Sequence, residues 1–275
     1  MKKGQATVFI IIAIVIVAAI GSVTYITTQN KKIAASNEYF SQTSIRPTLN
    51  AIESEIINCA ENTAKNALYV IGTQGGYYNR EGIIKELEVT FLPYYYYEGD
   101  ILLPTKENIQ DELALYIDNN LNDCVEKIDH PDYSIKHTTT KTQTSIIDNE
   151  VTFNINQDSI IEREGNTITF TLSDKPILIN SKLNQIYEVA KLFTESHEQD
   201  AELYCVSCVS DLAKEHNLFV NIISLEGDET MVRISEIGDS DYPYSLNFVN
   251  KYTGDESSPI NNIRTLAPNP KVEAQ

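Results

Sequence analysis

Four cysteines carry the most specific chemistry in this sequence: Cys59, Cys124, Cys205 and Cys208. An even number suits two disulfides, with three pairings open. Cys59 and Cys124 fall on the apolar faces of two predicted helices in the same block. Packing those helices would bring the sulfurs together and close a long loop; two buried free thiols are the alternative. Cys205-Val-Ser-Cys208 admits three chemistries. A thioredoxin-like exchange site needs a strand before the motif and a helix after it, whose N-terminus lowers a thiol pKa. A helix is predicted after the motif, but Ser196 to Tyr204 makes a poor strand. A zinc site needs four ligands, and one C-x-x-C with His197 or His216 lacks a second ligand pair. The expected state is a structural disulfide between Cys205 and Cys208.

Tyr94-Tyr95-Tyr96-Tyr97, with Tyr77 and Tyr78 upstream, is the second unusual feature. Tyrosine offers amphipathic area favoured at interfaces, so the four are read either as a hairpin packed on the helices or as a candidate contact surface for a partner, a neighbouring subunit or a glycan. On a strand they must alternate faces, which predicts two in the core and two exposed. The acidic clusters Glu226 to Glu229 and Asp239 to Asp241 do not follow a twelve-residue calcium loop and read as solvated turns. There is no G-x-S-x-G, P-loop or dinucleotide fingerprint, and the histidines form no metal-binding spacing. No N-x-[ST] acceptor is present, so N-glycosylation is not expected. No catalytic residue, metal or cofactor is expected, and the chain reads as a non-enzyme.

The elements that would position these residues follow from periodicity. Pro47 opens a helix in which Leu49, Ile52, Ile56, Cys59, Thr63, Ala67 and Val70 recur every three or four positions, and Gly72 stops it. Ile83 to Leu103 reads as a strand pair turning at Glu98-Gly99-Asp100, with Pro93 confined to an edge or bulge. Thr105 caps a second helix with Ile109, Leu113, Tyr116, Ile117, Leu121, Cys124 and Ile128 on one face. Asp129 to Thr144 is polar and Thr-rich and reads as a linker. Strands follow around Val151 to Ile155 and Ile168 to Leu172, with a turn at Glu164-Gly165-Asn166 and an edge segment at Ile177 to Ile179. Helices are expected over Ser181 to Glu195 and Ala201 to His216. Strands over Phe219 to Leu225, Met231 to Ile237 and Tyr244 to Val249 complete the pattern, with a turn at Gly227-Asp228. The fold class is therefore α+β, with a mixed helix and antiparallel-strand region after the N-terminal segment.

The chain has 275 residues and a formal net charge of -18. All 39 acidic residues, but only 17 of the 21 basic ones, lie beyond residue 32. Such a surface repels phosphate backbones and excludes nucleic-acid binding. Hydrophobic content of 42% excludes global disorder. Val8 to Ile26 contains no charge and spans roughly 28 Å as a helix, enough for the hydrocarbon core of a bilayer. It reads as an uncleaved transmembrane anchor in contact with membrane lipid. Cysteine use and the short inner segment favour an external C-terminal region.

The N-terminus Met1-Lys-Lys-Gly-Gln-Ala-Thr-Val-Phe-Ile-Ile-Ile12 resembles the leader of archaeal type IV pilin-like proteins with a class III signal peptide. There, two lysines and a glycine precede a glutamine, as Lys2, Lys3, Gly4 and Gln5 do here. The resemblance implies cleavage between Gly4 and Gln5 and a mature chain beginning at Gln5. Thr7 stands where the family usually has Ser, and Phe9 where it usually has a Glu that pairs with a neighbouring subunit's amino terminus. From Asn50 to Lys127, through Gly72 to Tyr77 and Pro93 to Gly99, the chain also resembles membrane-anchored surface proteins of small-genome archaea, which implies a location and no activity.

Four regions are expected: leader and transmembrane helix over 1–32, a stalk and helical α+β block over 33–128, a strand-rich α+β block over 129–252, and a disordered tail over 253–275. The reading is a single-pass, membrane-anchored extracytoplasmic surface protein, pilin-like, structural or adhesive, and capable of self-association or of binding a surface partner. The alternatives are a monomeric anchored binding module and an extracytoplasmic thiol–disulfide oxidoreductase using Cys205 and Cys208.

Overall fold

The computed structural model describes residues 37–41, 45–198, 205–237 and 243–253. The Val8–Ile26 run, Gly4, Gln5, the Asp239 to Asp241 cluster and the 254–275 tail lie outside the described residues. Among the described residues, no helix is long and apolar enough to cross a membrane. What is described is a mixed α+β fold with largely antiparallel sheets.

The described residues form two compact units, one from those up to 56 with 126–138 and 158–170, the other from 57–125, 139–157 and the described residues from 171 onward. Each is discontinuous in sequence, so neither coincides with the blocks 33–128 and 129–252. Helix α1 (Arg46–Thr73) contributes to both. It matches the expected Pro47 start and Gly72 stop to within one residue.

In the smaller unit, β4 (Ser134–His137) pairs antiparallel with β7 (Asp158–Arg163), Ile135 opposite Ile161. β7 in turn neighbours β8 (Asn166–Thr171). The β7–β8 connection turns at Glu164 and Gly165, both at positive φ (50° and 78°), the twist that two-residue hairpins prefer. Phe40, Leu49, Ile52 and Ile161 are fully buried. Around them, Arg163 donates to the Tyr133 hydroxyl at 3.1 Å, and the Tyr39 hydroxyl to Glu164 at 3.0 Å.

The larger unit holds two sheets. One contains β1 (Ile84–Glu86), β2 (Phe91–Tyr97), β3 (Asp100–Ile101), β10 (Leu218–Leu225), β11 (Glu229–Glu236) and β12 (Ser245–Lys251), in the order β1-β2-β12-β11-β10 with β3 also on β2. All pairs are antiparallel except β2–β12. The other contains β5 (Lys141–Ile147), β6 (Glu150–Asn156) and β9 (Ile177–Asn180), in that order, with β9 at the edge as expected. Helices α3 (Leu183–Glu195) and α4 (Val206–Glu215) cover the first sheet. Ile186, Val189, Phe193, Val209 and Ala213 meet Tyr95, Val232, Ile234, Leu246 and Phe248 in one core.

Helix α2 (Lys106–Val125) packs on β5. Its Thr105 cap is reciprocal: the Asn108 amide donates to Thr105 Oγ1 at 3.2 Å, and the Thr105 amide to Asn108 Oδ1 at 3.2 Å. Two helical-end donors are satisfied at once, as in a capping box.

Two expectations are corrected. Residues 129–144 are not a linker; they form β4 and open β5. The buried face of β5 is Thr142, Thr144 and Ile146, so hydroxyl-bearing β-branched residues stand where a period-two pattern would show hydrocarbon. Nor is 83–103 a simple strand pair. β2 lies inside the sheet, because β12 joins its other edge. Pro93 is tolerated there because the β2–β12 ladder begins only at Tyr94 opposite Val249, so its missing N–H falls beyond the ladder's end.

Candidate functional site

The residues singled out by type separate into three places in the larger unit. The first is the link between helices α1 and α2. Cys59 and Cys124 form a disulfide with a Cα–Cα distance of 5.7 Å. Cys59 is buried on the inner face of α1, and Cys124 is half-buried on α2, between buried Leu121 and Val125.

The second is the tyrosine strand. Tyr94, Tyr95 and Tyr96 are buried, and Tyr97 is half-buried. A strand covered on both faces buries consecutive residues rather than alternate ones. The four therefore do not form one exposed contact surface. Tyr95 stacks on Phe248 with ring centroids 4.2 Å apart and donates to the Gly75 carbonyl at 3.0 Å. Gly75 has φ +59°, and a Cβ there would come within 2.4 Å of the Pro93 ring, so only glycine admits the tyrosine's partner carbonyl. Tyr96 stacks on buried His197 at 4.5 Å.

Tyr94 and Tyr97 join a charged cluster instead. The Tyr94 hydroxyl donates to Glu229 Oε1 at 2.7 Å, and Lys85 pairs with the other Glu229 oxygen. Lys251 pairs with Glu98 at 2.7 Å and donates to the Tyr97 hydroxyl at 3.3 Å. Burial and the neighbouring Glu229 push the Tyr94 hydroxyl well above the ordinary phenol range. For Glu229, burial pushes the carboxyl up, but the hydrogen bonds from Lys85 and Tyr94 outweigh it and hold the group below its usual value. Each carboxylate here is matched by a cation, and the contacts tie β1, β2, β11 and β12 together.

A sign follows from the lowered Glu229 value. Its stabilisation is complete above the ordinary glutamate range and is lost as pH falls through the depressed folded value. Glu229→Gln is expected to cost about 1–2 kcal/mol at pH 7 and close to nothing once the pH has fallen through the depressed folded value, where the wild-type carboxyl is itself protonated. Urea unfolding of both proteins at the two pH values checks this. An equal difference at both would show that the carboxylate charge contributes nothing.

The third place is the N-terminus of α4. Cys205 and Cys208 form a disulfide with a Cα–Cα distance of 5.3 Å. Cys205 is the N-cap of α4, and its sulfur accepts the Cys208 amide at 3.3 Å. Ser207 Oγ lies 3.7 Å from the same sulfur, and the Cys205 amide donates to Ser196 Oγ at 3.2 Å. Ser196 begins a 3-10 turn that continues α3, so no strand occupies 196–198. Neither histidine considered as a zinc ligand joins the cysteines. His197 pairs with the Asn250 amide at 3.2 Å, and His216 closes the opposite end of α4. Among the described residues there is no group of three or more His, Cys, Asp or Glu suited to a metal.

Sequence reasoning missed a fourth feature. A cavity of about 640 Å³ is lined by Lys141, Thr142, Gln143, Asn154, Asn156 and Ser173. Lys141 opposes Asn156 and Gln143 opposes Asn154 across the β5–β6 pair, so four side chains share the exposed sheet face. Amides and hydroxyls both donate and accept, and the Lys141 ammonium is already paired with Asp118 at 3.2 Å, so the lining suits a neutral, polar ligand. The alternation of polar residues at 141, 143, 154 and 156 was the available signal, hidden by reading 129–144 as a linker.

Compared with protein-family models, with curated proteins and with solved structures, the chain matches none.

Proposed function

We propose that this chain is a membrane-anchored extracytoplasmic surface protein with a structural or adhesive role, in the form of a pilin-like subunit processed between Gly4 and Gln5. The observation that carries this reading is the Cys59–Cys124 disulfide, which ties two core helices together. A structural disulfide persists outside the reducing cytosol. The uncharged run Val8 to Ile26 supports anchoring, and the Lys2-Lys3-Gly4-Gln5 resemblance supports processing. The acidic surface is in keeping with an exterior location and with partners that are not nucleic acid. The polar cavity on β5–β6 favours a second reading, a monomeric anchored binding module that takes a neutral polar ligand there.

Intact mass and N-terminal sequencing of the protein from native membranes, without reduction, separate the two. The pilin-like reading expects a chain beginning at Gln5 and four cysteines oxidised. A chain beginning at Met1 with both disulfides present overturns that form and leaves the anchored binding module. Four free thiols in freshly alkylated membranes would remove the extracytoplasmic assignment altogether.

A further inference from the structure

We infer that Cys205–Cys208 is a thiol–disulfide exchange site that oxidises a dithiol, a role separate from the structural bond at Cys59–Cys124. Four observations distinguish the two bonds. Cys208 is exposed and Cys205 half-buried, whereas Cys59 is buried and Cys124 half-buried, so only the first bond offers an exposed sulfur-bearing residue. The cysteines are three positions apart, so their bond constrains almost no chain, whereas Cys59 and Cys124 are 65 apart. Cys205 stands at the N-terminus of a ten-residue helix, where backbone amides and the helix dipole favour a thiolate. The receiving groups are already in place: the Cys208 amide points at Cys205 Sγ at 3.3 Å, with Ser207 Oγ at 3.7 Å.

The chemistry balances as a two-electron exchange. A thiolate of the dithiol attacks the exposed Cys208 sulfur, forming a mixed disulfide and breaking the Cys205–Cys208 bond. Cys205 departs as a thiolate held by the Cys208 amide; a lowered thiol pKa makes it the better leaving group. The second thiol of the co-reactant loses its proton, attacks the co-reactant's own sulfur in the mixed disulfide and releases Cys208. The dithiol becomes a disulfide, the two cysteines become thiols, and two protons pass from one to the other.

The full chain is equilibrated in graded ratios of a dithiol to its disulfide, quenched with N-ethylmaleimide and mapped by peptide mass spectrometry. Dihydrolipoate serves as the small dithiol and a Cys-Ala-Ala-Cys peptide as the polypeptide one, which separates the two sources of the co-reactant. Cys205–Cys208 is expected to reach half-reduction at a ratio roughly 100-fold lower than Cys59–Cys124 requires, with the far-ultraviolet circular dichroism unchanged. Exchange with the peptide alone assigns a protein co-reactant, and exchange with both assigns any accessible dithiol. Opening of the two bonds at similar ratios, or of Cys205–Cys208 only as the protein unfolds, overturns the inference.

A second measurement does not depend on the disulfide. In Cys208→Ser, with Cys59–Cys124 intact, Cys205 is the one free thiol in the chain. Its iodoacetamide reaction rate is expected to rise with a midpoint at least about one pH unit below the ordinary thiol value of ~8.5. A midpoint at or above that value overturns the assignment of Cys205 as the stabilised thiolate.

Discussion

Replacing both Cys59 and Cys124 by alanine is expected to lower the free energy of unfolding by about 4 kcal/mol. The bond joins positions 65 apart, and closing a loop of that length removes roughly this much conformational freedom from the unfolded chain. Against a typical total of about 5–15 kcal/mol, that is a large share. The helices would still present Leu68, Ile71, Leu113, Ile117 and Leu121 to the interior, all nearly or fully buried, so the variant is expected to fold and to unfold at lower urea. Cys205→Ala with Cys208→Ala removes a bond that closes a far shorter loop and is expected to cost about 2 kcal/mol or less. Equilibrium urea unfolding of both double variants reads the two values side by side. Equal losses would contradict the division between a structural bond and an exchange bond.

The second large effect lies in the tyrosine strand. Tyr95→Ala is expected to cost about 3–5 kcal/mol, the range for deleting a fully buried aromatic ring. Tyr95 is completely buried, stacks on Phe248 and satisfies the Gly75 carbonyl. Truncation would leave a ring-sized cavity and an unpaired carbonyl together. Tyr97→Ala, two positions on and half-buried, loses the contact with Lys251 and is expected to cost about 1 kcal/mol or less. Thermal and urea unfolding of the two variants decide between a core strand and an exposed one. Losses of the same small size at both positions would restore the tyrosines as a surface feature.

This contrast shows where sequence reasoning stopped. Alternation along an isolated hairpin put two of the four tyrosines outside, which is sound for a sheet with one covered face. The strand instead has neighbours on both edges and buried residues on both faces, and its β12 neighbour is far away in sequence. Lys251 sits opposite Tyr97, 154 positions earlier. Nothing local in Phe91 to Tyr97 encodes that neighbour. The threonine-rich stretch up to Thr144 misled for a related reason: whether a threonine of β5 is inside or outside depends on what covers it, here helix α2.

The features legible along the chain alone are local ones. The start and stop of α1, the Thr105 cap of α2, the β7–β8 and β10–β11 turns and the helical placement of Cys59 and Cys124 rest on contacts within a few residues. Helical and strand periodicity and turn chemistry report such contacts directly. The uncharged N-terminal run and the acidic remainder are of the same kind, legible from composition. The tertiary structure alone decided the parallel β2–β12 pairing, the burial of Tyr94 to Tyr96, the interleaving of two units along the chain and the polar cavity of β5–β6. Apart from the cavity, which is built on the local β5–β6 hairpin and closed by Ser173, each of these brings together residues tens to more than a hundred positions apart. Such pairings are selected by the burial they achieve jointly, a quantity that no single segment carries in its own pattern.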